Sequence, residues 1–207
     1  NGKPMAVQEQ LACVAILTES YLEMIEGQYL DLSFECRQNV STTEYLGMVN
    51  KKTGALMGAS MHLGAMLGTN DKSRITALRH VGEELGLAFQ CRDDLLGIWG
   101  DTSKTGKAVG SDIRRKKKSL PVVYALQNAS GPKKERLTDL YNSHEINSQQ
   151  VNDVLEILND LKAQTYTQAI ADERHATAIK WIENAKLDPI SEIQLKEVSN
   201  FVTRREH

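Results

Sequence analysis

Residues 71–94 read DKSRITALRHVGEELGLAFQCRDD, and their spacing indicates the class of fold. The apolar residues recur at steps of three and four, which is the period of one face of an α-helix. These apolar positions are Ile75, Leu78, Val81, Leu85 and Ala88. The stretch therefore predicts a long, largely buried helix that carries two adjacent carboxylates, Asp93 and Asp94, towards its end.

The same helical period continues through the rest of the chain. Further helices are predicted over residues 8–32, 42–68, 119–129, 132–142, 148–165, 167–186 and 190–205. Ser41 and Glu44 form a capping box at one helix start, and Pro132 and Pro189 follow residues typical of helix starts. Strands are not predicted, because no sustained alternation of apolar and polar residues occurs. We predict an all-α protein, with residues 1–207 as one helical domain whose long antiparallel helices surround a central cavity.

Six glycines lie inside the predicted helices, namely Gly54, Gly58, Gly64, Gly68, Gly82 and Gly86. Glycine in a helix interior costs up to about 1 kcal/mol relative to alanine. Close contact between helices would offset that cost. We therefore predict tight helix packing at these positions.

Composition excludes several classes of function. The chain has 207 residues, a net charge of -2, a pI of about 6.3 and 5% aromatic residues. The net charge gives no basic field to attract nucleic acid, and so few aromatic residues argue against a role in stacking on bases. No apolar run is long enough to predict a transmembrane segment. Because Cys13, Cys36 and Cys91 form no paired motif, we expect a reduced, cytoplasmic protein.

The Asp93–Asp94 pair is the first candidate for chemistry. The C-terminal end of a helix carries a partial negative charge, so two carboxylates there are unfavourable unless a cation joins them. Magnesium is the natural cation, since it binds one or two carboxylates and completes its shell with water and phosphate oxygens. Taken alone, two exposed acids at a helix end would explain the pair better than a metal site.

Polar residues elsewhere favour the metal interpretation. They are Gln90 one turn before the pair, Lys107 and the run Arg114–Lys118 after it, Gln28 with Asp31 on one helix face, and Lys52 with Thr53 beside Gly54. Helical bundles build metal sites from several helices that each contribute polar groups to one cavity. A basic segment could then close over a magnesium-bound diphosphate.

Four motifs carry a resemblance to a known family. They are GQYLDL (27–32), YLGMVNKKTGAL (45–56), LGLAFQCRDDLLGIWGD (85–101) and TGKAVGSDIRRKKKSLPVVYAL (105–126). In order and spacing they resemble the trans-isoprenyl diphosphate synthases of the polyprenyl synthetase family. The resemblance implies a magnesium-dependent prenyltransferase that condenses isopentenyl diphosphate with an allylic diphosphate to give a longer trans-polyprenyl diphosphate. It also implies a homodimer.

The resemblance implies a role for each matching residue. Asp93 would be the main magnesium ligand, and Asp94 would assist it directly or through water. Lys52 and Lys107 would hold diphosphate oxygens, and Lys117 would belong to a mobile flap over the site. Thr53 and Gln90 would lie near the developing allylic cation. Gln28 and Asp31 would line the same cavity.

The sequence departs from the family pattern at two points. The second aspartate-rich motif of the family reads DDxxD, but Gly97 stands in place of its last aspartate, and Asp101 is a candidate to compensate. The first such motif of the family is absent from these residues. We therefore expect an incomplete portion of a synthase that is inactive alone. The alternatives are a catalytically silent partner subunit of a heteromeric synthase and, less favoured, a class I terpene cyclase.

Overall fold

The computed structural model describes residues 6–100 and 109–204, with side chains up to residue 203, and these residues are helical almost throughout. The helices are α1 (Val7–Cys36), α2 (Thr42–Val49), α3 (Ala55–Gly68), α4 (Lys72–Trp99), α5 (Ser111–Arg114), α6 (Leu120–Asn128), α7 (Gly131–Asn142), α8 (Ser148–Asp160), α9 (Ala163–Asn184) and α10 (Pro189–Arg204). No strand occurs within the described residues. The all-α prediction is confirmed.

Local capping explains where the helices begin. The predicted capping box is present at α2, where the Ser41 hydroxyl accepts a hydrogen bond from the Glu44 amide at 3.1 Å. Glu44 in turn accepts from the Ser41 amide at 2.9 Å. At α4 the Asp71 carboxylate accepts from the Ser73 amide at 2.9 Å. These contacts satisfy amide groups that have no partner within the helix.

One helix differs from its prediction. The sequence predicts a continuous helix over residues 42–68, but a π-helical turn, Asn50–Gly54, separates α2 from α3. The Ala55 amide donates to the Asn50 carbonyl, which is the i to i+5 pattern of a π-helix. This turn carries Lys52 and Thr53. Because apolar spacing continues on both sides of it, periodicity alone does not reveal the insertion.

Glycines allow α3 and α4 to pack closely and antiparallel. A Cβ atom added at Gly86 would lie 2.8 Å from Gly54 Cα, and one added at Gly82 would lie 2.3 Å from the Met57 carbonyl oxygen. The predicted close packing is therefore confirmed at this interface. It is wrong for Gly64 and Gly68, where an added Cβ would meet no described atom within 4 Å.

The long helix α4 lies at the centre of the described structure. It packs against α3 on one side and against α9 on another, where Arg174 pairs with Glu84 at 3.5 Å and Arg92 with Gln168 at 3.3 Å.

By contrast, α1 has one apolar face towards solvent. We call this face the α1 stripe, and its side chains are 41% to 71% exposed: Val7, Leu11, Val14, Leu17, Tyr21, Leu22, Ile25, Tyr29 and Leu32.

Within the described part of the chain, no helix is both long and apolar enough to cross a bilayer.

A cavity of about 460 Å³ lies between α3, α4 and α10, with Met61, Arg74 and Leu195 among its lining residues. Asp93 and Asp94 do not line it. The candidate site is therefore defined by its side-chain contacts and not by this cavity.

Candidate functional site

The two aspartates near the end of α4 have different environments. The Asp93 side chain is 41% exposed, whereas the Asp94 side chain is 0% exposed. Successive residues of a helix point about 100° apart, so one can face solvent while the next faces the core. The pair is therefore one open carboxylate beside one enclosed carboxylate.

Asp94 is surrounded by hydrogen-bond donors. Its Oδ2 atom accepts from the Tyr45 hydroxyl at 2.6 Å and from the Leu120 amide at 3.0 Å. Its Oδ1 atom accepts from Lys117 Nζ at 3.0 Å and from Gln90 Nε2 at 3.2 Å. These contacts join α2, α4 and the start of α6 at one buried carboxylate.

Lys117 lies among three carboxylates. Its Nζ atom is 3.0 Å from Asp94, 3.3 Å from Asp112 and 4.0 Å from Asp93. Burial alone would lower the pKa of Lys117, but the negative charges of Asp94 and then Asp112 outweigh it and raise that pKa. Lys117 is therefore a cation at neutral pH, and it balances part of the acidic charge.

Three other cations of the basic run contact different parts of the protein. Arg114 donates to the Ser148 hydroxyl at 3.4 Å, and Lys116 donates to the Ser143 carbonyl at 2.6 Å. Lys118 donates to the Arg37 carbonyl. The backbone of Lys116 is left-handed, with φ of 53°. The run is thus a set of separate anchors, of which Lys117 faces the aspartates.

Asp112 occupies the space beside Gly97. A Cβ added at Gly97 would lie 2.3 Å from Oδ2 and 2.9 Å from Oδ1 of the Asp112 carboxylate. The Ser111 hydroxyl donates to the Gly97 carbonyl at 3.1 Å and holds α5 against α4. Asp112 is buried. A carboxylate from α5 therefore lies where the side chain of the last motif aspartate would begin.

A second lysine–aspartate pair joins α1 to the π-helical turn. Lys52 Nζ is 2.5 Å from Asp31 Oδ2, and these side chains are 31% and 24% exposed. The two helices touch at Gly27, where an added Cβ would lie 2.3 Å from the Lys52 amide nitrogen. Gln28, next to it, is exposed.

Tyr45 is close enough to both lysine–aspartate pairs to be affected by the charges of their carboxylates. Burial raises the pKa of Tyr45 well above its ordinary value, and the charges of Asp94 and, more weakly, Asp31 raise it further. Thr53 in the π-helical turn packs against Gly86, which precedes Gln90 by one helical turn, about 6 Å. Thr53 and Gln90 therefore belong to adjoining parts of the same region.

The structure brings four predicted residues, Gln90, Asp93, Asp94 and Lys117, into one cluster, and Asp31 and Lys52 into a second. Lys107 and Asp101 lie outside the described residues. Sequence reasoning missed Tyr45 and Asp112. A signal existed for Tyr45, because it precedes Lys52 by two helical turns and so shares its helix face. For Asp112 the signal was the unexplained glycine at 97.

The donor set fits magnesium of the kind that binds phosphates. Among the described residues, no group of three or more His, Cys, Asp or Glu side chains is arranged to enclose a metal ion. Magnesium does not need such a cage, because it binds one or two carboxylates and takes its other ligands from water and phosphate. Asp93 is 41% exposed and lies 4.0 Å from Lys117 Nζ, so it supplies the partly exposed carboxylate that this mode requires.

Comparison with known proteins identifies the family. Residues 3–158 match the family model for polyprenyl synthetase. The whole chain aligns with 62% of a short chain isoprenyl diphosphate synthase from Methanothermobacter thermautotrophicus at 37% identity. The chain thus spans about three-fifths of the length of that relative.

Solved structures agree. A geranylgeranyl pyrophosphate synthetase from Pyrococcus horikoshii superposes with a TM-score of 0.89 at 30% identity, covering 98% of this chain and 61% of that one. A geranylgeranyl pyrophosphate synthase from Corynebacterium glutamicum, complexed with isoprenyl diphosphate and magnesium, gives a TM-score of 0.83 at 26% identity over 93% and 56%. Together with the match to the family model, these similarities establish that the chain belongs to the polyprenyl synthetase family.

Proposed function

We propose that this chain carries the second aspartate-rich motif of a magnesium-dependent prenyltransferase. The enzyme condenses isopentenyl diphosphate with an allylic diphosphate and forms a longer trans-polyprenyl diphosphate. The observation that carries the proposal is the partly exposed Asp93 carboxylate, which lies 4.0 Å from Lys117, a lysine that also contacts Asp112. The relatives named as isoprenyl and geranylgeranyl diphosphate synthases support the same reaction.

Asp93 and Asp112 would hold the metal in this proposal. The magnesium complex of the Corynebacterium relative supports the choice of ion. Magnesium, when bound, withdraws charge from the leaving diphosphate. Asp112 contributes because its carboxylate lies beside Gly97, where the family motif has its last aspartate. It takes the compensating role that the sequence suggested for Asp101.

Lysines complete the electrostatic environment of the diphosphate. Lys117 faces the carboxylates and remains protonated, so it can bind a phosphate oxygen next to Asp93. Lys52 is held by Asp31 in a partly exposed ion pair, and a diphosphate can replace Asp31 as its partner. Lys107 is proposed for the same role from the sequence motif alone. Fixed cations stabilise negative charge as it develops on a leaving group.

Neutral oxygens stabilise the allylic cation in this scheme. Gln90 uses its Nε2 atom on both aspartates, at 3.2 Å and 3.4 Å, which leaves its Oε1 atom as an acceptor for positive charge. Thr53 lies in the π-helical turn, a local distortion often found at functional sites. Gln28 and Asp31 line the substrate side of α1.

The α1 stripe supports a homodimer. Nine large apolar side chains on one face are a contiguous patch of the kind that marks protein interfaces. A second copy covers this face in the proposal. Light scattering at micromolar concentration should give twice the chain mass, and Ile25→Glu should shift it towards the monomer. A monomeric wild type would contradict the proposal.

We also place the protein in the cytoplasm. Cys13, Cys36 and Cys91 are all free thiols. A reducing compartment keeps cysteines in this state.

Titration with inorganic pyrophosphate tests the function. Calorimetry should detect pyrophosphate binding in the presence of magnesium and much weaker binding with a chelator. Asp93→Asn should abolish the magnesium-dependent part, whereas Asp153→Asn, on the distant helix α8, should leave it unchanged. Equal binding by wild type and Asp93→Asn would contradict the metal assignment.

A further inference from the structure

The buried Asp94 carboxylate has no lone pair left for a further ligand. An ionised carboxylate offers about four acceptor sites. Tyr45, Leu120, Lys117 and Gln90 provide four donors at 2.6 Å to 3.2 Å, all of them from the protein. The side chain is also 0% exposed. Asp94 is therefore enclosed by protein contacts, in contrast to Asp93 beside it.

The donors to Asp94 come from segments that are distant in sequence. Tyr45 lies on α2, whereas Lys117 lies between α5 and α6 and Leu120 begins α6. The Leu120 amide belongs to the first turn of its helix, where amides lack a partner within the helix. Asp94 supplies that partner, and the same carboxylate orients Lys117 towards Asp93 and Asp112. It thus fixes how the basic segment meets the acidic end of α4.

Tyr45 controls the orientation of this carboxylate. The tyrosine is 1% exposed, and its hydroxyl makes the shortest of the four contacts, at 2.6 Å. Hydrogen bonds to an ionised acceptor are short and about twice as strong as neutral ones. Without the hydroxyl, Oδ2 would keep only the Leu120 amide, and the carboxylate could rotate away from Lys117.

We propose that Tyr45 is a positioning residue that fixes Asp94 as a clamp on Lys117 and on the first turn of α6. In this assignment Asp94 holds protein groups, which replaces the assisting metal role suggested by the family resemblance. The clamp itself follows from the contacts above. Its effect on ligand binding rests on the proposed function.

Hydrogen exchange of the Leu120 amide reports the clamp directly. The chain is labelled with ¹⁵N, and exchange is compared in wild type, Tyr45→Phe and Tyr141→Phe. Tyr141 is the matched control, because it is also buried and its hydroxyl has no hydrogen-bond partner among the described residues. We expect exchange at Leu120 to be about tenfold faster in Tyr45→Phe and within about twofold of wild type in Tyr141→Phe.

Unchanged exchange in Tyr45→Phe would overturn the proposal. If Tyr45→Phe does not fold, the wild type still decides, because a Leu120 amide as unprotected as an ordinary first-turn amide would show that Asp94 does not hold it. A strongly protected amide in wild type supports the clamp.

Pyrophosphate titration separates the clamp from the proposed function. With magnesium present, we expect Tyr45→Phe to bind pyrophosphate about tenfold more weakly and Tyr141→Phe to bind like wild type. If wild type binds no pyrophosphate, the proposed function fails while the exchange result still decides the clamp. If Tyr45→Phe exchanges faster but binds with wild-type affinity, the link from Tyr45 to the ligand is wrong.

Discussion

Two lysine–aspartate pairs of this protein differ in burial and in the number of hydrogen-bond donors around the carboxylate. The Lys117–Asp94 pair contains a fully enclosed carboxylate with further donors from Tyr45, Leu120 and Gln90. The Lys52 and Asp31 side chains are 31% and 24% exposed, and their ion pair helps to join α1 to the π-helical turn. The first pair belongs to a set of four donors around one buried carboxylate, whereas the second is an ion pair between two partly exposed side chains.

The two pairs therefore fit different roles. The Lys117–Asp94 pair fits a structural role, and the Lys52–Asp31 pair fits a role in ligand binding. Removing one partner of a buried charge pair costs about 3–5 kcal/mol, because the other charge is left unpaired. An exposed pair contributes only about 0–1 kcal/mol, and the partly exposed Lys52–Asp31 pair lies between these two cases. A diphosphate can therefore take Lys52 from Asp31 at a smaller cost than it could break the Asp94 contacts. Each pair thus has the energetics that its proposed role requires.

Removing Asp94 should produce the largest effect on stability. Asp94→Ala leaves Lys117, Tyr45 and the Leu120 amide without their acceptor, so we expect the free energy of unfolding to fall by about 3–5 kcal/mol. Asp31→Ala is the matched variant and should cost less than Asp94→Ala, because Lys52 is partly exposed and keeps access to water. Urea denaturation measures both. Equal losses in the two variants would erase the distinction between the pairs.

Removing Asp93 should affect binding and not stability. Its carboxylate is 41% exposed, so Asp93→Ala should change the free energy of unfolding by less than about 0.5 kcal/mol. We expect magnesium-dependent pyrophosphate affinity to fall about 100-fold, or about 2.7 kcal/mol, because the anchoring carboxylate is lost. Calorimetry and urea denaturation on the same preparations measure both quantities. A loss of stability with unchanged pyrophosphate affinity would contradict this prediction.

Replacing Lys52 should weaken binding by a smaller factor. Lys52→Gln removes one cation from the diphosphate, and we expect about a tenfold loss of pyrophosphate affinity with little change in stability. Lys51→Gln is the control, because the neighbouring Lys51 pairs with Glu26 on α1. A loss of affinity as large in Lys51→Gln would show that only the net charge matters.

The smallest effect concerns the cap of α2, the helix that carries Tyr45. Hydrogen bonds from the Ser41 amide and Arg37 lower the pKa of Glu44 to about 2, from an ordinary value of 4.5. A lowered folded-state pKa stabilises the protein above the unfolded value, and this contribution is lost as pH falls from about 4.5 through about 2. Glu44→Gln should therefore melt about 2 °C below wild type at pH 6. The two melting temperatures should converge near pH 2, and a constant difference across that range would contradict the assignment.

The sequence predicted those features that depend on local spacing. The all-α class follows from helical periodicity, and the Ser41–Glu44 box depends on residues three apart. Glycines 82 and 86 indicated a close helix contact correctly, because only packing offsets their cost inside a helix. The role of Asp112 depends on how α5 docks beside Gly97, which no spacing along the chain encodes. The π-helical turn was missed because one inserted residue alters a single step of the apolar spacing, while the helical period continues on either side.

The metal site itself is the central claim, and manganese provides the most direct measurement of it. Crystals of the chain grown with manganese and inorganic pyrophosphate should show an anomalous scattering peak about 2.0–2.2 Å from an Asp93 oxygen, the distance expected for a small octahedral cation. Pyrophosphate oxygens should lie within hydrogen-bond distance of Lys117 Nζ, with the Tyr45–Asp94 contact retained. Pyrophosphate bound without a peak at Asp93, or a peak coordinated by Asp94 with its Tyr45 contact broken, would contradict the account.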